Sequence, residues 1–302
     1  MRKEDGRTAG SGTGRPSHEE VLAKLARQFI EAIPHAKALG MVLEEIGAGE
    51  AVISLPWRED LVGDPKSRVV HGGVVSALLD TAGGAAVMSH PAGPAGTATL
   101  DLRIDYMRPA RPGARGERRA ARGGEGTMRR GPEPVQKIKE RRDKALEALV
   151  GQVPYIRFLG VGFDRRGDEL TAVMHYDEKL IGNPFLPALH GGATAAFLEI
   201  AAIIGLAWSR IFEMTESGVL TLEDLEAGNM PDLPKTIDFT VDYLRPGLPR
   251  DAYARARVNR SGRRYASVHV EAWQDRRDKL FAQATGHFLM PRIDEAAAPG
   301  RG

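Results

Sequence analysis

Two stretches of the chain carry residue types that could do chemistry together. His71-Gly72-Gly73 opens an apolar run with Asp80 nine positions after the His, and His190-Gly191-Gly192 opens a second with Glu199 at the same offset. Burying a lone charge is costly, so two acids at one offset inside runs such as Val74 to Leu79 and Ala193 to Leu198 point to use. A His-Gly-Gly before a buried helix leaves backbone N–H groups exposed at the helix N-terminus, where the dipole favours developing negative charge. Gly72 or Gly191 could polarise a carbonyl oxygen there. The acid, two and a half turns on, could serve as base or nucleophile. Acyl transfer to water needs both parts. Each residue also has a plainer reading: a His at a helix start as a cap or packed ring, a glycine pair as helix-start geometry.

The elements that must position these residues repeat in the same order. In the first pass, Ser17 with Glu20 forms a capping box for a helix ended by Pro34. Short strands follow between Leu39 and Leu55, then a loop with Asp64-Pro65, then an apolar helix from Gly72 to Met88 that reads as buried all round. The period-two strand from Thr97 to Arg108 comes next. In the second pass, Val135 to Leu149 forms a helix ended by Pro154, Glu169 to Tyr176 a strand, and Asn183-Pro184 stands where Asp64-Pro65 stood. The run Asp238-Phe239-Thr240-Val241-Asp242-Tyr243-Leu244-Arg245-Pro246 matches Asp101-Leu102-Arg103-Ile104-Asp105-Tyr106-Met107-Arg108-Pro109, so the chain is an internal duplication. Met214 to Lys235 is an acidic loop present only in the second half.

Beyond that strand the halves diverge. The second continues into strand-like runs from Tyr253 to Asn259, Tyr265 to Trp273 and Lys279 to Leu289. The first gives residues 110–134, rich in Arg and Gly and without Val, Ile, Leu or any aromatic, which cannot bury apolar surface and reads as a disordered linker. It stands where core strands are required, as a junction between two formerly separate reading frames would. With no aromatic interleaved for stacking, it is a poor nucleic-acid binder. The expected organisation is a tail at 1–16, a first unit at 17–109 lacking its last strands, the linker at 110–134, a second unit at 135–291 and a tail at 292–302.

Composition narrows the classes further. The 302 residues contain no cysteine, so disulfides, zinc-thiolate sites and thiol nucleophiles are excluded. A formal charge of +2 gives no general reason to invoke nucleic acid. The absence of a long apolar run and of a signal-like start argues for a soluble, cytoplasmic protein off the membrane. No Gly-x-Ser-x-Gly elbow, phosphate loop or metal-binding His spacing is present. Arg263-Arg264, after Ser261-Gly262, could contact phosphate or be a solvated hairpin tip.

A loop with Asn-Pro, then His-Gly-Gly, an apolar helix with an acid nine residues after the His, and a strand ending Asp-Tyr-x-Arg-Pro resembles the hotdog-fold acyl-CoA thioesterases. The likeness is to the PaaI-like branch of the 4-hydroxybenzoyl-CoA thioesterase type. It implies an α+β architecture in which an antiparallel sheet wraps a central helix and two such units pair side by side, here as a pseudo-dimer within one chain. It implies acyl-CoA as substrate, no cofactor, and homo-oligomers built from these pseudo-dimers. One composite site would use Asn183, His190 and Gly191 with Asp80, and the other Asp64, His71 and Gly72 with Glu199. Arg263 and Arg264 would then meet the CoA phosphates. Asp64 departs from the family's Asn and would set two carboxylates together, raising one pKa, so the Asn183/Asp80 site is expected to be the competent one. A hotdog hydratase would bring an Asp and a His together on the loop and helix start, a pattern not seen here. A non-catalytic acyl-CoA-binding or regulatory protein remains the other reading.

Overall fold

The computed structural model describes residues 18–92, 97–110, 135–185 and 187–291. The expected tails, most of the Arg/Gly linker and the Ser17 cap lie outside the described residues.

Each half opens with a helix broken at a proline. Helix α1 (His18–Ala32) is followed at once by α2 (Pro34–Leu39), and α4 (Val135–Gly151) by α5 (Pro154–Leu159). Pro34 and Pro154 therefore do more than end a helix. Each lies at the first turn of the next one, where a missing N–H costs nothing, and Gly40 and Gly160 close these short helices at φ 75° and 77°. Strands β1 (Val42–Gly47) and β2 (Glu50–Ser54) follow in the first half, and β6 (Val161–Arg166) and β7 (Glu169–Met174) in the second. A small hairpin comes next: β3 (Val62–Asp64) with β4 (Val69–Val70), or β8 (Ile181–Asn183) with β9 (Ala188–Leu189). The hairpins lead into the central helices, α3 (Gly72–Met88) and α6 (Gly191–Glu216).

In the second half the chain crosses α7 (Leu222–Glu226) and forms β10 (Lys235–Tyr243), β11 (Ala252–Ser261), β12 (Tyr265–Trp273) and β13 (Leu280–Leu289). The supposed acidic loop thus begins within the last turn of α6 and carries α7. In the first half, among the described residues after α3, the strand is β5 (Asp101–Asp105), and it joins the other unit's sheet in the order β5-β10-β13-β12-β11-β7-β6. Its register places Asp105 opposite Asp238, Arg103 opposite Thr240 and Asp101 opposite Asp242. Because Asp101 corresponds to Asp238 and Asp105 to Asp242, this pairing is its own mirror under exchange of the two halves. It marks a pseudo-twofold axis at Arg103 and Thr240, the isologous contact of a dimer built into one chain.

The two central helices cross on the same axis. A side chain at Gly192 would run into Ala77, and one at Gly73 into Ala196, two contacts that the pseudo-twofold interchanges. Glycine is needed here for close approach. Gly192→Ala is expected to destabilise the chain by about 1–3 kcal/mol, the usual cost of overpacking a tight contact. Urea denaturation checks this, and an unchanged midpoint would show that the crossing yields.

Helix α6 is long and apolar enough to span a bilayer, yet it is mostly buried, packed against β11, β12 and β13 and against α3. Helix α3 is not buried all round as its composition suggested. Leu79 and Val87 are 48% and 49% exposed, whereas their counterparts Leu198 and Leu206 are fully buried. Among the described residues no strand lies between β5 and β2 to cover that face. A groove of about 210 Å³ lined by Val70, Val74, Leu78 and Ala110 runs along the first turns of the same helix. In the second unit Leu189 and Phe281 close on Gly247 at the corresponding place.

Candidate active site

Each helix start faces the other helix's acid. A Cβ at Gly191 would stand 2.7 Å from Asp80 Oδ2, and one at Gly72 would stand 2.5 Å from Glu199 Oε1. Any larger residue would displace the carboxylate, which explains the first glycine of each pair in physical terms. Both glycines are at the first helical position, where the backbone N–H has no intrahelical acceptor.

The histidines preceding them are caps. His71 Nδ1 accepts from Gly73 N–H at 2.9 Å, and His190 Nδ1 accepts from Gly192 N–H at 3.0 Å. A nitrogen that accepts carries no proton, so both rings are neutral. Burial agrees, pushing His71 down to about 4, and it also lowers His190 against the opposing pull of Asp80. The approaches of 3.8 Å between His71 and Glu199 and 3.5 Å between His190 and Asp80 are therefore not ion pairs. The proton on His190 is on Nε2, which donates to Thr81 Oγ1 at 3.1 Å while Thr81 donates to Ala77 O. This chain fixes the ring and leaves it no proton to give.

The two acids are held differently. Asp80 Oδ2 accepts from Gly192 N–H at 3.0 Å, Oδ1 accepts from Thr99 Oγ1–H at 2.7 Å, and the side chain is 9% exposed. Each oxygen has a lone pair left over, enough to hold a water molecule. Glu199 accepts from Thr236 Oγ1–H at 2.6 Å and from the Tyr106 hydroxyl at 3.4 Å, with its side chain 1% exposed. Burial raises its pKa to about 7, with the Thr236 and Tyr106 hydrogen bonds working against the rise.

The loop residues fall into turns. Asn183 Oδ1 accepts from Phe185 N–H at 2.9 Å. Asp64 Oδ1 accepts from Lys66 N–H at 3.1 Å, and its Oδ2 accepts from Ser67 Oγ–H at 2.5 Å. The expected rise from two adjoining carboxylates needs correcting, since burial drives the rise of Glu199 and Asp64 is engaged by its own turn. Arg263 and Arg264 are exposed in the β11–β12 hairpin, whose flanking Tyr265 is in register with Leu289 and, through it, with Lys235 beside Thr236. They are thus at the same end of the sheet as Glu199.

Sequence reasoning missed several neighbours. Thr99 and Thr236 each stand two residues before the first Asp of the repeated strand motif, so extending that match by two positions would have found them. His35 and Tyr155, each directly after its helix-opening proline, pack at a tilt against the caps of the opposite unit: His35 against His190 with ring centres 4.9 Å apart and planes at 43°, Tyr155 against His71 at 5.0 Å and 34°. His35 Nδ1–H donates to Lys179 O at 3.1 Å. Its Nε2 and the Tyr155 hydroxyl are buried with no hydrogen-bond partner.

The thioesterase superfamily model matches residues 68–120 and 186–281, one segment over each helix start. A Halobacterium salinarum protein provisionally named an esterase is 38% identical over 92 residues, spanning 30% of this chain and 61% of that protein. The medium/long-chain acyl-CoA thioesterase YigI of Escherichia coli K12 is 30% identical over 146 residues, 48% of this chain and 90% of YigI. Among solved structures, a Chromobacterium violaceum protein is 33% identical with a TM-score of 0.37, covering 53% of this chain and all of that one. A Shewanella oneidensis protein related to the thioesterase superfamily is 25% identical with a TM-score of 0.42, covering 51% of this chain and 97% of that one. Matched at both helix starts, and over nine-tenths of a relative about half its own length, the chain belongs to the thioesterase superfamily.

Proposed function

We propose that the protein hydrolyses acyl-CoA thioesters at the site formed by Asp80 of the first unit and Gly191 of the second. The observation that carries this reading is the Asp80 carboxylate held by Thr99 and Gly192 N–H against the N-terminus of α6. In the reaction Asp80 takes a proton from a bound water as its oxygen attacks the thioester carbon. The carbonyl oxygen becomes an oxyanion against Gly191 N–H, then re-forms the carbonyl as the carbon–sulfur bond breaks, and the leaving thiolate takes up the proton that Asp80 had removed from water, which restores the carboxylate. His190 orients the helix start. Asn183 steadies the carbonyl or the water from the loop.

The Glu199 site is the weaker one. Its carboxyl is more enclosed than that of Asp80, 1% against 9% exposed, which restricts access of water and substrate. The same reading assigns residues 17–109 and 135–291 to the two units, places the protein in the cytoplasm and sets pseudo-dimers into homo-oligomers. Arg263 and Arg264, at the Glu199 end of the sheet, are candidates for CoA phosphates at that site and not at the Asp80 site.

The test is a thiol-release assay across acyl-CoAs of different chain length. Turnover of at least one is expected. Binding without release would favour an acyl-CoA-binding protein instead.

A further inference from the structure

The hairpins beside the two candidate sites differ in chemistry. Phe185, two residues beyond Asn183, is 78% exposed, yet its ring stacks on Phe29 of α1 at 6.4 Å and 17°. This pair bridges the units: α1 and α2 come from the first, the β8–β9 hairpin from the second. The hairpin is anchored at the site, because a Cβ at Gly182 would meet the His190 ring at 3.2 Å and because His35 bonds Lys179 O just before β8. At the equivalent place in the other site, Lys66 stands two residues beyond Asp64. Its Nζ pairs at 2.6 Å with Asp232, on the segment between α7 and β10 that the first unit lacks. Met230 of that segment is buried in the main core, and Leu149, the counterpart of Phe29, is fully buried.

We infer that Phe29 and Phe185 form the acyl-selecting lip of the Asp80 site, so that its preferred substrates are thioesters whose apolar acyl group is long enough to lie across both rings. This rests on the reading that the Asp80 site hydrolyses thioesters. An exposed ring adjoining a catalytic loop gains by covering apolar surface, and an alkyl chain supplies that surface without a directional demand. The Lys66–Asp232 lip offers the opposite. Two exposed, hydrated charges contribute little stability to each other, but they give an alkyl chain nothing to bury against. One chain should therefore load one long-chain ligand.

Isothermal titration with non-hydrolysable S-alkyl CoA thioethers, ethyl against dodecyl, tests binding apart from chemistry. The wild-type protein should bind the dodecyl analogue more tightly, at one per chain. Phe185→Ala should weaken dodecyl binding about tenfold, roughly what two methylenes lose on returning to water, and leave ethyl binding unchanged. Phe185→Leu should restore most of it. Because Phe185 is exposed, neither variant threatens the fold. Equal effects on both analogues, no effect, or no chain-length preference in the wild type would overturn the inference. Should the chain-length effect appear while the matching acyl-CoAs release no thiol, the lip stands and the hydrolytic reading falls.

Discussion

Asp80→Asn is expected to lower acyl-CoA hydrolysis by about three orders of magnitude, the scale of losing a positioned general base, while Glu199→Gln leaves most of it intact. Asn is close to isosteric with Asp, so the contact with Gly191 and one of the two hydrogen bonds, to Thr99 or Gly192 N–H, can persist. What disappears is the proton acceptor. Glu199 differs in access rather than in basicity: its side chain is 1% exposed against 9% for Asp80, so water and substrate reach it less readily, and at pH 8 its carboxyl, raised to about 7, is mostly ionised. The comparison is made at one pH near 8 on folded protein, with thiol release followed at saturating substrate. If Glu199→Gln removes activity and Asp80→Asn does not, the two sites exchange roles. If each halves it, the sites are equivalent and the asymmetry of their acids has no catalytic consequence.

That asymmetry was only partly legible in the sequence. The duplication and the paired helix starts follow from the repeat, because a nine-residue offset and a repeated strand motif survive any loop change between them, while the crossing of the acids was implied only by the family resemblance. The α3 face was misread, since composition reports what a helix would bury and not whether its covering strands exist. Leu79 is as apolar as Leu198, but only Leu198 has β11 to β13 over its helix. The source of the Glu199 pKa was misread for a related reason. A sequence shows that Asp64 replaces an Asn but not that Lys66 N–H and Ser67 engage its carboxylate in a turn. Nor could spacing show His35 and Tyr155 packed against the caps of the opposite unit, which depends on how the units embrace. The one hint was that both follow the proline that opens a short helix.

The buried histidines lead to the second large effect, on stability against pH. His35 is pushed down to about 3, first by burial and then by its neighbour His190, and burial takes His71 down to about 4. In the unfolded chain both titrate near 6.5, so between that pH and their folded values the unfolded state binds more protons. The stability they contribute is complete above about 6.5 and is lost as pH falls toward 4 and 3, amounting at pH 5 to about 2 kcal/mol for each. Glu199 runs the other way. Raised from 4.5 to about 7, it is protonated first in the folded chain. Acidification from pH 8 to pH 5 therefore returns about 2 kcal/mol, which offsets one histidine and not both. The chain should lose net stability by pH 5, before most ordinary carboxylates protonate. His35→Phe keeps a ring against His190, removes a buried acceptor without a partner and should flatten this acid limb. Glu199→Gln removes the opposing gain and should steepen it while raising stability at pH 8. Urea denaturation of the three proteins at pH 8, 6.5 and 5 decides the matter, and parallel curves would mean that these buried groups titrate alike in the folded and unfolded chains.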